Sequence, residues 1–473
     1  MPRRKSRKPE RIKVGYLPLY IKLYDDADGP SYREPMEKFM NSIISMLECE
    51  GIDVVKADVC RIKPEFDAAA EMFNKEDVTA VITQHLAYSP SLESIDALLS
   101  IKAPLIVFDT TVGYNLLKDQ GFEGKIGPNH GIHGVQDMCN LLRRNKRPYF
   151  ICAGHPFHSE VLSEVVGMCR AAAVKKAYEN MTVGSVGGSF VGMGDFLVSD
   201  EDYKKDIGCT VKYMDKEAVA KFLAMVTDEE IEAEIAYDNK YYNVEVENKE
   251  NYYASTKSGL AIRKWMAAED IGSVSVNFLT LDICGLPKMP FVECCKVMER
   301  GLGYAGEGDV LTAGLVGALL KVYPDTTFTE MFCPDWEKDV IIFSHMGESN
   351  PNITAVKPTV IDCPFDYNSC GDTVAEYGTY RKGNAVLVNL APMGNGKYNL
   401  VCTQVELLDE ARYNSMYSTS TQGWMKPCKP LPQFLKEYSL AGGTHHSALV
   451  YDVDIEEIKA FGEMKGFDVF EIK

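Results

Sequence analysis

Apolar residues arrive along this chain in short continuous runs, separated by stretches in which they recur every three to four positions. RIKVGYLPLY is a run of the first kind. EPMEKFMNSIISMLECEG is a stretch of the second, stopped by Gly51. The pair recurs: IDVVKADVC with a helix near 64 to 75, VTAVITQHLAYS with a helix near 91 to 101, APLIVFDTT with a helix near 132 to 144, and PYFICAGHP with a helix from 157 to 178. Strands alternating with helices imply a parallel sheet flanked by helices. Residues 1–182 therefore read as an N-terminal flavodoxin-like, or Rossmann-like, α/β domain. No glycine-rich dinucleotide fingerprint follows its first strand, so the fold by itself implies neither NAD nor FMN.

From VGSVGGSFVGMGDF a second segment begins, with five glycines between Gly184 and Gly194. No Lys-Ser or Lys-Thr pair follows them, which counts against a phosphate cradle and favours a loop whose backbone approaches a ligand. Helices near 215 to 226, 228 to 238 and 250 to 268, the strand SVSVNFLT and the helix PFVECCKVMERGLGY make residues 183–325 a second α/β domain. Beyond it AVKPTVIDC, NAVLVNLAPM, KYNLVCTQVELL and HHSALVYDV are short, β-rich and separated by Gly, Pro and Asn. Residues 326–473 thus read as an antiparallel β domain or small barrel, with GNGKY as a hairpin turn.

A length of 473 residues suits two to four domains with large cores. The net charge of -18 argues against nucleic acid or an anionic membrane surface as main partner and leaves a small neutral substrate. The basic opening MPRRKSRKPE has no apolar run after it and reads as a solvated tail. No stretch approaches the ~20 apolar residues of a membrane helix. Fourteen cysteines without paired metal-ligand spacing read as reduced thiols, and the chain as cytoplasmic.

Candidate chemistry concentrates between Gly301 and His345. Glu307 stands between two glycines in AGEGD, just before the helical run LTAGLVGALLKVY, with Asp309 or Thr312 near the cap. Glu330 lies in TFTEMFCPDW, and His345 ends the apolar run VIIF. Two carboxylates and a histidine suit a divalent cation of intermediate hardness such as Mn²⁺, with Co²⁺ or Mg²⁺ as alternatives. Of the eight histidines, His445 and His446 are adjacent in the glycine-rich AGGTHHSALV. Alternation along a strand would send their rings to opposite faces, so that only one ligates. In the first domain Gln84, His85, Tyr88, Asp109 and His155 fall at strand carboxyl ends, and Asn129, His130 and His133 in a loop entering a helix, where ligands approach such sheets. The plainer reading is that these side chains cap the helix and satisfy loop carbonyls.

GYAGEGDVLTAGL, TFTEMFCPDWEKDVIIFSHMGE and AGGTHHSALV resemble the metal-site motifs of L-arabinose isomerases, within the wider L-fucose and L-arabinose isomerase superfamily. The resemblance implies that Glu307, Glu330, His345 and His446 hold the metal, His446 being the second histidine of the family's Gly-Gly-x-His-His, and that Glu307 and Glu330 are the acid/base pair. It also implies substrate contacts at His133, which resembles a histidine that in hexamers of the family reaches a neighbouring subunit's site, and at Phe278, with His130, His445 and Tyr88 beside them. A homo-oligomer, hexamer or trimer, follows from the same resemblance. Departures fall in the pocket. Gly15, Tyr16, Leu17, Pro18, Leu19 and Tyr20 stand where the family shows Gly-Ser-Gln-His-Leu-Tyr, His130 stands where it has Gln, and Asp109 replaces a His.

Three functions compete at this point. The first is a Mn²⁺-dependent aldose–ketose isomerase that moves a proton between C1 and C2 of an open-chain sugar through a cis-enediol. The second is an epimerase, or an isomerase of a different or modified sugar, with the same metal site. The third is a sugar-binding module without catalysis, which would have no need of all four candidate ligands.

Overall fold

A computed structural model describes residues 10–116, 121–368, 370–409 and 422–473; most of the basic opening lies outside them. The described residues divide into two compact units, 10–173 and 174–473.

In the first unit, β1 (Ile12–Leu19), β2 (Ile52–Lys56), β3 (Val81–His85), β4 (Leu105–Asp109) and β5 (Tyr149–Ala153) form an all-parallel sheet in the order β2-β1-β3-β4-β5. This is the flavodoxin-like order, with its reversal between β1 and β3. The helix Glu34–Cys49 carries Pro35 in its first turn and buries Met36, Met40, Ile43, Ile44 and Leu47, one stripe at helical spacing; Gly51, at φ +86°, turns the chain out of it. Leu17, Phe66, Phe73, Val81, Leu98, Leu105, Val107, Val135 and Leu142 share a single core beneath the sheet.

The second unit opens with another parallel sheet. It contains β6 (Thr182–Val186), β7 (Thr210–Tyr213), β9 (Ser273–Val276) and β10 (Gly303–Gly306), in the order β10-β9-β6-β7, while β8 (Asn243–Glu245) pairs elsewhere. Its reversal lies between β6 and β9, so the loops after β6, β9 and β10 share one rim. The chain then enters the helix Val310–Val322, whose residues are buried on nearly every side. The helix packs mainly on β6, β9 and β10 and, to a lesser extent, on strands of the barrel that follows. That closeness depends on small residues: a Cβ at Gly317 would stand 2.0 Å from the Ser273 hydroxyl.

β11 (Thr326–Asp335), β12 (Val340–Ser344), β15 (Gly383–Gly394), β16 (Lys397–Leu408), β17 (Gln422–Pro427) and β18 (His446–Tyr451) pair antiparallel all the way round, β11-β12-β17-β16-β15-β18 and back to β11. The result is a closed barrel with no edge strand of its own. β19 (Asp468–Ile472) adds parallel to β16. GNGKY forms the hairpin between β15 and β16, with Gly394, Asn395 and Gly396 all at positive φ. Two features depart from the expected all-β character. β13 (Thr359–Cys363) and β14 (Thr373–Tyr377) leave the barrel and pair with β8 in a separate three-stranded sheet. The helices Leu431–Leu440 and Ile455–Lys465 also belong here, the first burying Leu431, Phe434 and Tyr438 in the barrel core. No described helix is long and apolar enough to cross a membrane.

Candidate active site

The rim of the second parallel sheet carries a cluster of carboxylates and imidazoles. Glu307 follows β10 at φ +62°, a left-handed bend unusual for a residue with a Cβ, and Gly308 continues it at +78°. The bend is held from two sides. Glu307 N–H donates to Val276 O (3.0 Å), and Phe190 N–H donates to Glu307 O (3.0 Å). Space is as short as conformation: a Cβ at Gly308 would meet Gly188 O at 2.1 Å, and one at Gly306 would meet the His345 ring at 2.7 Å. The glycines either side of Glu307 are thus required by close approach, and the bend presents its carboxylate to three imidazoles.

His446, the first residue of β18, is fully buried; its Nε2 lies 3.3 Å from Glu307 Oε2 and its Nδ1 3.0 Å from Asp309 Oδ2. Asp309 is also the N-cap of the helix Val310–Val322, accepting from Thr312 N–H at 2.8 Å. His445 reaches the same Glu307 Oε2 through Nε2 at 3.4 Å, while its Nδ1 stands 2.7 Å from Asp195 Oδ2. His345, just past β12, has Nδ1 2.8 Å from Glu348 Oε2, and Glu348 Oε1 accepts from Tyr304 O–H at 2.8 Å. A carboxylate oxygen can only accept, so in all three rings Nδ1 carries the proton and Nε2 is turned toward the site. Phe328 packs edge-to-face on both His345 and His446, at 4.8 and 5.0 Å between ring centres.

Contrary to the alternation argument, both adjacent histidines face Glu307. Strand pairing begins only at His446, so His445 still belongs to the preceding turn and is free of the strand's period. Asn389 braces that turn, its amide donating to His446 O and Thr444 Oγ1, both at 2.6 Å. Glu330, on β11, sits in register between Ser344 on β12 and His446 on β18, the neighbouring strands that deliver the other ligand candidates.

Charge follows this geometry. Burial works against an ionised Glu307, but the imidazoles of His445 and His446 beside its carboxylate and the nearby His345 hold its carboxyl well below the usual range. Burial likewise works against a charged His345, but Glu348, Glu330 and Glu307 outweigh it and lift the ring to about 8. For His445 burial is again overcome, chiefly by Asp195 and Glu307, which raise it to about 10. These are the values without a cation in the site.

The donor set fits one. Glu307, His445 and His446 bring their ligand atoms within 4.8 Å of one another, and His446 Nε2 is buried with no hydrogen-bond partner. A buried imidazole nitrogen without a hydrogen-bond partner, 3.3 Å from a carboxylate oxygen, is a pair of ligand atoms that suits a cation. Of the set expected from sequence, Glu307 and His446 meet here. His345 lies alongside, its ring centre 5.5 Å from that of His446, and Glu330 is adjacent by strand register. Phe278, after β9, packs between Phe190 and Phe365 at 5.7 and 5.4 Å on the same rim.

The residues expected on the first unit form a cluster of their own. His130 lies 4.2 Å from His133 and 6.3 Å from Tyr88, ring centre to ring centre. Several neighbours take the plainer role. Gln84 accepts from Tyr16 O–H at 2.6 Å, Asn129 ties Gly113 N–H to the carbonyls of Glu123 and Lys125, and His155 contacts Val112 O at 3.4 Å. His85 is buried beneath Gly134, where burial drives its pKa down to about 3.

Carboxylates orienting imidazoles around one acidic side chain, at the carboxyl ends of a parallel sheet, mark an enzyme active centre. Residues 198–324 match the L-arabinose isomerase central domain and residues 325–468 the L-arabinose isomerase C-terminal domain, together more than half of the chain. The L-arabinose isomerase of Aeromonas salmonicida (strain A449) is 24% identical over 415 residues, covering 85% of this chain and 82% of its own. That of Aeromonas hydrophila is 24% identical over 396 residues (80% and 78%), and that of Thermotoga petrophila 24% over 450 residues (90% and 88%). A periplasmic solute-binding protein from Actinobacillus succinogenes with bound D-allose aligns at 12% identity over 66% of this chain and 91% of its own, with a TM-score of 0.17, too low to carry any argument. The chain belongs to the L-arabinose isomerase family, and so to the sugar-isomerase class of enzymes.

Proposed function

We propose that this protein is a metal-dependent aldose–ketose isomerase, L-arabinose isomerase-like, acting on an open-chain sugar. The observation that carries the proposal is the convergence of Glu307 with His445 and His446, each ring turned by a carboxylate so that Nε2 faces Glu307. Glu307, Glu330, His345 and His446 would hold the cation, with His445 at its edge; the mix of carboxylate oxygen and imidazole nitrogen suits Mn²⁺, or Co²⁺ or Mg²⁺. When bound, a divalent cation polarises the two sugar oxygens at C1 and C2.

The chain's own residues supply the proton transfer. Aldose to ketose conversion takes a proton from C2 and returns one to C1 through a cis-enediol, which needs a base and a partner acid. Glu307 is held ionised by the imidazoles around it, the form a base requires. Glu330, on the neighbouring strand, is the second carboxylate of the pair. Burial of the rim by Phe278, Phe190 and Phe328 keeps bulk water from the reacting carbons. His445, Phe278, Tyr88, His130 and His133 are proposed sugar contacts, His133 reaching the site of a neighbouring subunit. The same reading takes the chain as a cytoplasmic homo-oligomer of three domains, 1–182, 183–325 and 326–473.

Metal-stripped protein with Mn²⁺ restored, screened against L-arabinose, L-fucose, D-arabinose, D-galactose and L-ribulose, tests this reading. Metal-dependent ketose formation is expected; an epimeric aldose as product would replace isomerisation with epimerisation, and silence in every case with Mn²⁺ still bound would send the search to modified sugars or epimerisation. Glu307→Gln, which keeps size but removes the base, is expected to lower turnover at least ~10²-fold with an unchanged circular dichroism spectrum.

A further inference from the structure

The glycine-rich segment after β6 has no part in the proton transfer just described, yet it lies against Glu307, His445 and His446. It leaves the sheet at the reversal between β6 and β9. Gly187 O accepts from the Thr280 hydroxyl at 2.9 Å, Ser189 Oγ donates to Gly308 O at 3.3 Å, and Phe190 N–H donates to Glu307 O at 3.0 Å. At its far end Phe196 stacks on His446, 5.3 Å between centres with the planes 12° apart. Between these anchors stands Asp195. A single oxygen of its carboxylate, Oδ2, lies 3.0 Å from the His445 backbone nitrogen and 2.7 Å from His445 Nδ1.

We infer that this loop is a working part of the active centre and that Asp195 is the positioning residue that fixes His445 for hydrogen bonding to a sugar hydroxyl. Because Oδ2 takes both the backbone N–H and the Nδ1–H of one residue, it sets the ring's rotation as well as its position, and the nitrogen left over, Nε2, points to Glu307. The neighbouring imidazole needs no such arrangement from a loop, since Asp309 holds His446 from within the helix cap. Exposure divides the two rings by task. His446 is wholly buried, whereas the side chains of His445 and Asp195 remain 30% and 39% exposed and so within reach of a solute. A sequence separation of 250 residues between the two partners excludes a merely local contact.

The inference rests on the proposed isomerase reading, and the experiment separates the two. Full-length protein is prepared as wild type, Asp195→Ala, Asp195→Asn, His445→Ala and the Asp195→Ala/His445→Ala double variant. Asp195→Ala is expected to lower kcat/KM for the accepted sugar by ~10- to 100-fold, mainly through KM, with Mn²⁺ affinity within about twofold of wild type and the melting temperature unchanged. Asp195→Asn, which still offers an oxygen, restores most of the loss. Added to His445→Ala, Asp195→Ala costs nothing further, because the two side chains act as one. The second readout needs no substrate. With ¹⁵N-labelled histidine, only eight imidazoles contribute; the His445 Nδ1 resonance, identified by its loss in His445→Ala, is expected to shift in Asp195→Ala. An unmoved resonance together with an unmoved KM overturns the role of Asp195. Additive losses, or a loss carried by the melting temperature with KM unchanged, do so as well. Wild-type protein that turns over no sugar while the resonance still shifts would discard the isomerase reading and keep the Asp195–His445 unit as the orienting element of a different site.

Discussion

Asp309 does two jobs through its two oxygens, and one substitution separates them. Oδ1 caps the helix Val310–Val322 and Oδ2 fixes the Nδ1 proton of His446, both groups fully buried. In Asp309→Asn the remaining oxygen still caps, since Asn is as good an N-cap as Asp. The amide NH₂ then faces Nδ1, and two donors cannot share that contact. The ring switches tautomer, placing its proton on Nε2 toward Glu307, and the nitrogen a cation would use is lost. The fold should barely notice, because Nε2–H and Glu307 then satisfy each other. Disturbing the partner of a ligating histidine typically weakens metal affinity by about 10- to 100-fold, or ~1.4–2.7 kcal/mol. Asp309→Ala serves as the contrast: it loses the cap (~1 kcal/mol) and strands a buried donor (~1–3 kcal/mol), which for a domain this size lowers the melting temperature by roughly 5 °C or more. The assays are a Mn²⁺ titration by isothermal calorimetry and thermal unfolding of the metal-stripped protein. Wild-type Mn²⁺ affinity in Asp309→Asn would refute the tautomer argument, as would loss of affinity accompanied by unfolding equal to that of the alanine variant.

His446→Ala is expected to weaken Mn²⁺ binding more than His445→Ala, since the buried ring alone has an unpartnered nitrogen on the site; calorimetry showing the reverse order would exchange their roles. His345 and His445 are both raised above the ordinary histidine value of 6.5, to about 8 and about 10. Their ion pairs therefore stabilise the metal-stripped protein fully below pH 6.5 and are lost as pH climbs through those values, so its melting temperature should fall across pH 7 to 10. Mn²⁺ must displace a proton from His345, one of its proposed ligands, so its affinity should rise from pH 6 to 8.5; an affinity flat over that range would exclude the assignment. Gly317→Ala places a Cβ 2.0 Å from Ser273 Oγ, and overpacking of this kind costs ~1–3 kcal/mol. Ser273 Oγ is itself buried without a partner, so Ser273→Ala alone should be neutral or stabilising and should recover part of the loss, as read by chemical denaturation.

What was legible in the sequence was local. The central strands β1, β3 and β4 of the first sheet appeared as continuous apolar runs because both their faces are covered, and the helices beside them as single stripes. Glu307 between glycines announced a strained bend, and the structure supplies the reason: Gly188 and His345 stand too close for any side chain on either flank. The short β8, three residues long, gave no periodic signal, and so its pairing with β13 was invisible. The helix Leu431–Leu440 has only ten residues and starts beside two prolines, which reads as a turn. The adjacent histidines misled for a related reason, since a period of two applies only inside a strand and β18 begins one residue later than the pair.

The carboxylates behind the imidazoles were the least legible part, and they divide by distance along the chain. Glu348 lies three residues past His345, and Asp309 two past Glu307, so both were in view as residues, although a cap was all that Asp309 could be read as. Asp195 lies 250 residues from His445 and could be found only in three dimensions. All three perform the same chemistry, fixing a proton on Nδ1 so that Nε2 faces the site. Only the contact made by Asp195 comes from an exposed, glycine-rich loop; the other two come from buried positions, one capping a helix and one receiving a buried tyrosine hydroxyl. An orienting group on a loop can change with little cost to the core, whereas Asp309 and Glu348 are bound to the packing around them. Variation in which sugar such a centre accepts is therefore expected to enter through the loop after β6 and the His445 it holds, with the ring of His446 and the bend at Glu307 left as they are.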